Sequence, residues 1–268
     1  MCIRDRVGTV SSVRLISYMS PGFPHSLFCS LGNIVGAEIE FDETASGPAP
    51  GSDPFLDGDF DLGWICSTSF VDLATRAADP SIELAGVAWV PDDPDANGRP
   101  VYFGDLVTLP DSGIESFEDL KGATVGCNDE VSLSGNYSLT FALDDRDLPP
   151  DFVTRVMTGG HHCSLDRLIA GEIDAALVDS VVRTARARAD ERVANLRIIE
   201  RLGPWPVQPL VARSTMTAEE VSEIRRLLLD STDRPEIREQ LDAACLTTLV
   251  EVGPDHYAPV REAMDRVR

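Results

Sequence analysis

Lysine is almost missing from this chain. Lys121 is the only one among 23 basic residues, against 45 acidic ones, and the net charge is −22. Nucleic-acid and anionic-membrane surfaces need clusters of Lys and Arg, so neither is expected as a partner. Long apolar runs are missing too. No stretch approaches the roughly 18 uninterrupted apolar residues of a membrane-spanning helix. Motifs of nucleophilic or nucleotide chemistry are absent: there is no GxSxG elbow, no HExxH, no Walker A loop and no GxGxxG. Six cysteines occur (Cys2, Cys29, Cys66, Cys127, Cys163 and Cys245), but no CxxC pair, so neither a zinc ribbon nor a redox dithiol is indicated.

What is present is a 268-residue chain with 43% apolar residues, enough for one large domain or two lobes with cores of their own. The acidic balance favours solubility. It does not forbid an anionic ligand, because charges beyond roughly 10 Å are screened at about 0.1 M salt. No secretory signal is visible. Met1–Arg6 (MCIRDR) resembles a translated sequencing-adapter remnant and reads as a non-native leader, which makes the absent signal uninformative.

Apolar periodicity and punctuation place the elements. Strands are expected over 12–18, 37–41, 59–65, 83–90, 101–109, 123–127, 152–157, 173–178, 196–200 and 210–212. Helices are expected over 24–36, 67–77, 136–143, 162–170, 180–189, 217–229, 235–241 and 256–266, with a short one after Ser116. The 217–229 helix is the clearest, with Thr217 and Glu220 spaced as a capping box. The alternation implies an α/β protein with buried, mostly parallel strands.

Four strand-to-helix junctions could carry chemistry. Asn128–Asn136 (NDEVSLSGN) places hydroxyls and helix-start N–H groups together, which suits an oxyanion or serves as an ordinary capped start. Its candidates are Ser132, Ser134, Gly135 and Asn136. Thr158–Cys163 (TGGHHC) brings His161 to a glycine loop. Adjacent His residues rarely point the same way and no fourth ligand is suggested, so no metal is expected there. Asp179 lies just past a strand's carboxyl end, where open α/β sheets bind ligands, and equally suits a helix N-cap. In Gly63–Ser69 (GWICSTS), Trp64 could wall a pocket or fill the core, and Ser67 could donate a hydrogen bond. No cofactor and no catalytic residue is expected.

The order of these segments resembles the phosphonate/phosphite (PhnD-like) substrate-binding family of ABC transporters. YFGDLVTLPDSGIESFEDL (102–120) resembles that family's crossing strand and DSGI and DLKG stretches. KGATVGCNDEVSLSG (121–135) resembles its anion loop, Thr158–Ser180 its tGsH turn and GevDaa.vDs strand, and Asp59–Ser69 its first-lobe strand. The resemblance spans about residues 59–230. It implies a type 2 periplasmic-binding fold, two α/β lobes joined by two crossing strands: 7–104 plus 206–268, and 105–205. It also implies a non-enzymatic protein, a monomer, that closes on a small anionic ligand and delivers it to an ABC permease. The location implied is periplasmic or anchored at the cell surface, with a cytoplasmic one left open by the missing signal. Ser132, Ser134 and Gly135 match the anion loop, Tyr102 the pocket tyrosine, His161 the turn histidine and Asp179 the strand-end acid. Leu133 stands where a threonine is usual, and His162 where an acid is common. Cys66, Cys127 and Cys163 all lie at strand ends that should face one cleft, and some relatives with this architecture bind arsenite through cysteine; the alternative reading is three small buried residues. The alternatives are a cytoplasmic enzyme on the same fold, of the pyrimidine-precursor or menaquinone-pathway kind, and a ligand-sensing domain.

Overall fold

The structure is a computed structural model that describes residues 3–4, 10–19 and 22–267; the leader reading for Met1–Arg6 falls largely outside them. A short antiparallel ribbon of β1 (Ile3–Arg4) and β2 (Val10–Ser11) comes first. Then follow β3 (Val13–Ser17), α1 (His25–Val35), β4 (Ala37–Phe41), β5 (Leu62–Trp64), α2 (Ser67–Thr75), β6 (Ile82–Leu84) and β7 (Val87–Pro91). The chain continues as β8 (Val101–Thr108), β9 (Thr124–Cys127), α3 (Ser138–Asp144), β10 (Thr154–Met157), α4 (His161–Ile169), β11 (Ala175–Asp179), α5 (Ser180–Ala187), α6 (Glu191–Ala194) and β12 (Arg197–Pro206). It closes with β13 (Leu210–Arg213), α7 (Ala218–Ser231), α8 (Pro235–Ala243), β14 (Leu246–Glu251) and α9 (Ala258–Val267).

Two five-stranded sheets organise the α/β fold, in the orders β4-β3-β5-β13-β6 and β10-β9-β11-β8-β12. The pairing is mixed rather than mostly parallel. In each sheet three neighbouring strands pair in parallel and the remaining pairings, all made by β13 or by β8, are antiparallel, so four of the five strands share one direction. The antiparallel members are the strands by which the chain crosses between sheets or returns, a constraint that local periodicity does not register. The second sheet is drawn from one continuous stretch. The first needs β13, far along the chain, to reach β6.

Several local signals held. Gly36 ends α1 in the left-handed region, its N–H returning to Gly32 and Asn33 carbonyls. Thr217 and Glu220 form the capping box of α7. Other boundaries moved. The strand expected over 83–90 is broken into β6 and β7 at Gly86, which has φ +82. A Cβ there would stand 2.7 Å from Arg225 Nε, which donates to the Ala85 carbonyl. β7 then pairs with β14, a strand the sequence reading lacked. β12 runs to Pro206, six residues past its expected end.

The junction of the sheets is held by β8 against β12. Asp105, in the middle of β8 and fully buried, receives Arg183 Nε at 2.6 Å and Arg201 Nε at 2.9 Å. Arg201 also meets Asp93 at 2.5 Å and Asp95, and stacks over the Phe103 ring at 4.3 Å. Burial disfavours the Asp93 carboxylate, but its Arg201 hydrogen bonds outweigh that and hold its pKa below the ordinary value.

Removing a fully buried partner leaves the remaining charges uncompensated, so Asp105→Leu is expected to lower the unfolding free energy by about 3 kcal/mol. Asp95→Ala, on the exposed side of the same arginine, should cost less than about 1 kcal/mol. Urea unfolding of both variants checks the contrast; equal losses would show that the buried pairing carries no special weight.

Candidate functional site

Strand ends and helix starts from both sheets meet at one cavity with a volume of ≈ 30 Å³, about twice what one water requires. Four helical N-termini reach it. Cys66 precedes α2, Ser132 starts the turn leading into α3, Gly160 precedes α4 and Asp179 precedes α5. Each brings the positive end of a helix dipole, which favours an anion. Among the described residues no Lys or Arg lines the cavity, and its only acidic residues are Asp129 and Asp179.

The loop before α3 starts its helical path earlier than the spacing indicated. Ser132 caps it by accepting from the Gly135 N–H at 3.1 Å, and a wide π turn follows over Leu133–Tyr137, where Tyr137 N–H reaches the Ser132 carbonyl at 2.9 Å. Such one-turn π insertions recur at functional sites. Only glycine fits at 135: a Cβ would lie 2.4 Å from Asn128 Cβ and 2.9 Å from both His161 Cε1 and Ser132 Oγ. Gly104 on β8 is similarly constrained: a Cβ there would lie 2.7 Å from the Ser134 carbonyl oxygen. These two close approaches bring the α3 start against β8 and His161.

Asp179 Oδ1 accepts from Val181 and Val182 N–H groups at 2.8 and 3.3 Å, and Oδ2 from Gln208 Nε2 at 3.0 Å. It is therefore both N-cap and cavity wall. Its burial disfavours the charged form and lifts its pKa to about 7. The Asp179 N–H donates to His161 Nδ1 at 3.3 Å, so the imidazole hydrogen sits on Nε2, on the ring edge facing Gly22 and Gly135. Burial lowers the His161 pKa to about 3, which keeps the ring neutral. Among the described residues, two buried polar atoms of the lining make no well-formed hydrogen bond: the Tyr102 hydroxyl, which lies beside Ser134, and Gln208 Oε1. Burial pushes the Tyr102 phenol well above its ordinary pKa, so it is a donor at neutral pH.

Of the nine residues picked from the sequence, Tyr102, Ser132, Ser134, His161 and Asp179 line the cavity. Gly135 lies behind the lining and shapes it. Asn136 is turned away, bonding the Glu130 carbonyl and Arg155. Trp64 is core, packed on Phe28 and Trp89 with ring centroids 6.1 and 5.0 Å away. Ser67 donates to the Pro206 and Val207 carbonyls and so ties α2 to the chain's return. The three cysteines do not share a cleft. Cys66 lines the cavity, Cys127 is buried within β9 and Cys163 is exposed on α4. No three His, Cys, Asp or Glu side chains among the described residues are grouped to hold a metal ion.

The sequence reading missed Tyr18, Ser46, Asn128, Asp129 and Gln208 as lining residues. Tyr18 and Asn128 follow β3 and β9, so the strand-end argument used for Asp179 would have found them. Gln208 is a polar residue inside the otherwise apolar run PVQPLVA. Ser46 had no local signal. It is fixed from the other sheet, its N–H and Oγ donating to Asp129 Oδ2 at 3.0 and 2.7 Å while Asn128 Nδ2 donates to its Oγ at 2.8 Å.

Residues 38–257 match the family of periplasmic substrate-binding proteins of phosphonate ABC transporters. Among solved structures, the chain is similar to a binding-protein component of an ABC phosphonate transporter from Pseudomonas aeruginosa. The TM-score is 0.78 and the identity 16%, over 96% of this chain and 86% of that one. It is similar to PhnD1 from Prochlorococcus marinus in complex with methylphosphonate (TM-score 0.75, identity 14%, 96% and 98% covered). The periplasmic aliphatic sulphonate binding protein of Escherichia coli scores 0.61 at 17% identity, with 96% and 87% covered. At these identities the likeness is one of fold, the type 2 periplasmic-binding architecture. No curated protein sequence matches.

A raised carboxyl pKa binds protons better in the folded than in the unfolded state, so stability falls as pH rises from about 4 to about 7. The full penalty at pH 8 has an upper bound of about 4 kcal/mol. Asp179→Asn keeps an N-cap acceptor and removes the charge. Its melting temperature should exceed that of the parent at pH 8, with the gap closing towards pH 4. A gap independent of pH in thermal unfolding would show that Asp179 is not buried ionisable charge.

Proposed function

The chain belongs to the family of periplasmic substrate-binding proteins of phosphonate-type ABC transporters, and from that premise we propose that it captures a small oxyanion of the phosphonate, phosphite or phosphate kind by closing two lobes around it. The family consists of transporter binding proteins, which do no chemistry on their ligand, and this removes the alternative of an enzyme on the same fold. The family is periplasmic, and among the described residues no helix is long and apolar enough to cross a membrane.

The observation that carries the ligand class is the cavity wall. It combines four helix starts, the hydroxyls of Ser132, Ser134 and Tyr102, and the Nε2–H of His161. All are donors or positive ends. Its size suits a compact head group. In this reading Tyr102, Ser132, Ser134 and His161 hold the oxygens, Gly135 permits their approach, and Asn136, Trp64 and Ser67 support the frame.

The lobes are 7–104 with 206–268, and 105–205, hinged where β8 and β12 cross. What supports closure is a set of bonds spanning the cleft. Ser46 holds Asp129, Leu133 N–H meets Cys66 Sγ at 3.1 Å, Thr68 Oγ1 donates to the Val131 carbonyl, and Gln208 holds Asp179. These bonds tie residues on opposite sides of the proposed division and would part on opening. A single copy of the chain would then present its closed form to an ABC permease.

Thermal-shift measurements with phosphate, phosphite, methylphosphonate and arginine test the class. At 100 times its dissociation constant a true ligand adds about 2.7 kcal/mol of stability. An oxyanion should raise the melting temperature; a shift by arginine alone would sink the reading. Ser134→Ala, which removes one donor to a charged group, should weaken that oxyanion's binding about tenfold.

A further inference from the structure

We propose that the site takes up its oxyanion together with one proton, held between Asp179 and a ligand oxygen. This deepens the oxyanion reading and rests on it. The cavity is rich in donors, yet it also presents an acceptor that no described residue satisfies. Gln208 Oε1 is buried without a partner, and its Nε2 is already given to Asp179 Oδ2 at 3.0 Å. Among the described residues no cationic side chain stands in the lining to balance the carboxylate. A fully ionised anion against an ionised Asp179 would put two like charges into one small, nearly dry space. A proton between them turns that repulsion into a charge-assisted hydrogen bond. It can come from the carboxyl, from an acidic hydroxyl of the ligand, or from solvent when both are ionised.

Asp129, the other acid of the lining, is also raised by burial, but its oxygens already accept from Ser46 and the Val131 N–H, and burial pushes Tyr18 up to about 12, which leaves Asp179 as the acid open to a ligand proton. His161 on α4 is held neutral by burial, with a pKa of about 3. Tyr102 on β8 stays protonated, its phenol pushed well above the ordinary value by burial. Asp105 on β8 is paired with Arg183 from α5 and Arg201 from β12. Cys66, on the opposite wall, is raised by burial. The N–H groups of Val181 and Val182 and the Gln208 amide carry no titratable proton in this range. Asp179 itself changes charge near pH 7, its carboxyl lifted chiefly by burial.

The test is calorimetric titration of the whole chain with methylphosphonate and with methanesulfonate, from about pH 6 to about pH 9.5. Methanesulfonate has no proton to offer in that range. Its affinity should fall about tenfold per pH unit above the Asp179 titration. Methylphosphonate should fall with the same slope once both it and Asp179 have ionised. In Asp179→Asn the carboxamide donates its own N–H, and both slopes should flatten. Methylphosphonate bound with this slope while methanesulfonate binds at no pH also supports the proposal, with the proton carried by the ligand. Flat profiles for the parent, or an unchanged slope in the Asn variant, overturn the proton sharing while leaving the oxyanion reading standing. Binding of neither anion at any pH overturns both.

Discussion

Everything at the cavity depends on how β8 lies against β12. These two antiparallel strands carry the chain out of the first sheet and back to it, and Asp105 joins them by accepting from Arg201 while Arg183 binds it from α5. An ion cluster of this kind is costly to bury and unforgiving of a missing partner. The cost has a structural return. β8 presents Gly104 to the start of α3 and Tyr102 to the cavity, and its register against β11 places Gly104 opposite Asp179. Shift that register by one residue and Tyr102 would leave the cavity for the other face of the sheet.

The protein handles negative charge in two ways. The chain carries a large excess of acid, whereas among the described residues no Lys or Arg lines the cavity. Attraction there falls to helix starts, hydroxyls and a neutral imidazole. The helix starts are fixed by the backbone and the hydroxyl and imidazole side chains are buried, so little local ordering would remain for a bound ligand. The two acids in the wall are tied down as well, Asp129 by Ser46 and Asp179 by its own helix and Gln208.

Much of this was legible in the sequence because the governing forces are local. Gly36, the Thr217–Glu220 box and the Ser132 cap are set by a few neighbouring residues, and Asp179 by a strand-end argument that needs only chain order. The misreadings share the opposite cause. Whether Trp64 faces a pocket or a core depends on Phe28 and Trp89. Ser67 points at carbonyls of 206 and 207, some 139 residues away. β14 exists because β7 offers it an edge, and its adjacent Thr247 and Thr248 break the period-two alternation that would have marked it as a strand. The cysteines were grouped by their position at strand ends, but side-chain direction there turns on a single residue of register. Cys127 and Cys66 consequently face different neighbours.

The way the first sheet is assembled has a bearing on how the molecule comes into being. Its strands β3 to β6 are complete by Leu84, but β6 can join only through β13, whose residues begin at Leu210. The second sheet, by contrast, uses nothing outside 101–206. On a ribosome the inserted half can therefore finish while the half that began earlier still waits with an unpaired edge. Sequence separation of this size slows folding and lengthens the exposure of apolar strands. For this chain the first part to be made is the last to be closed.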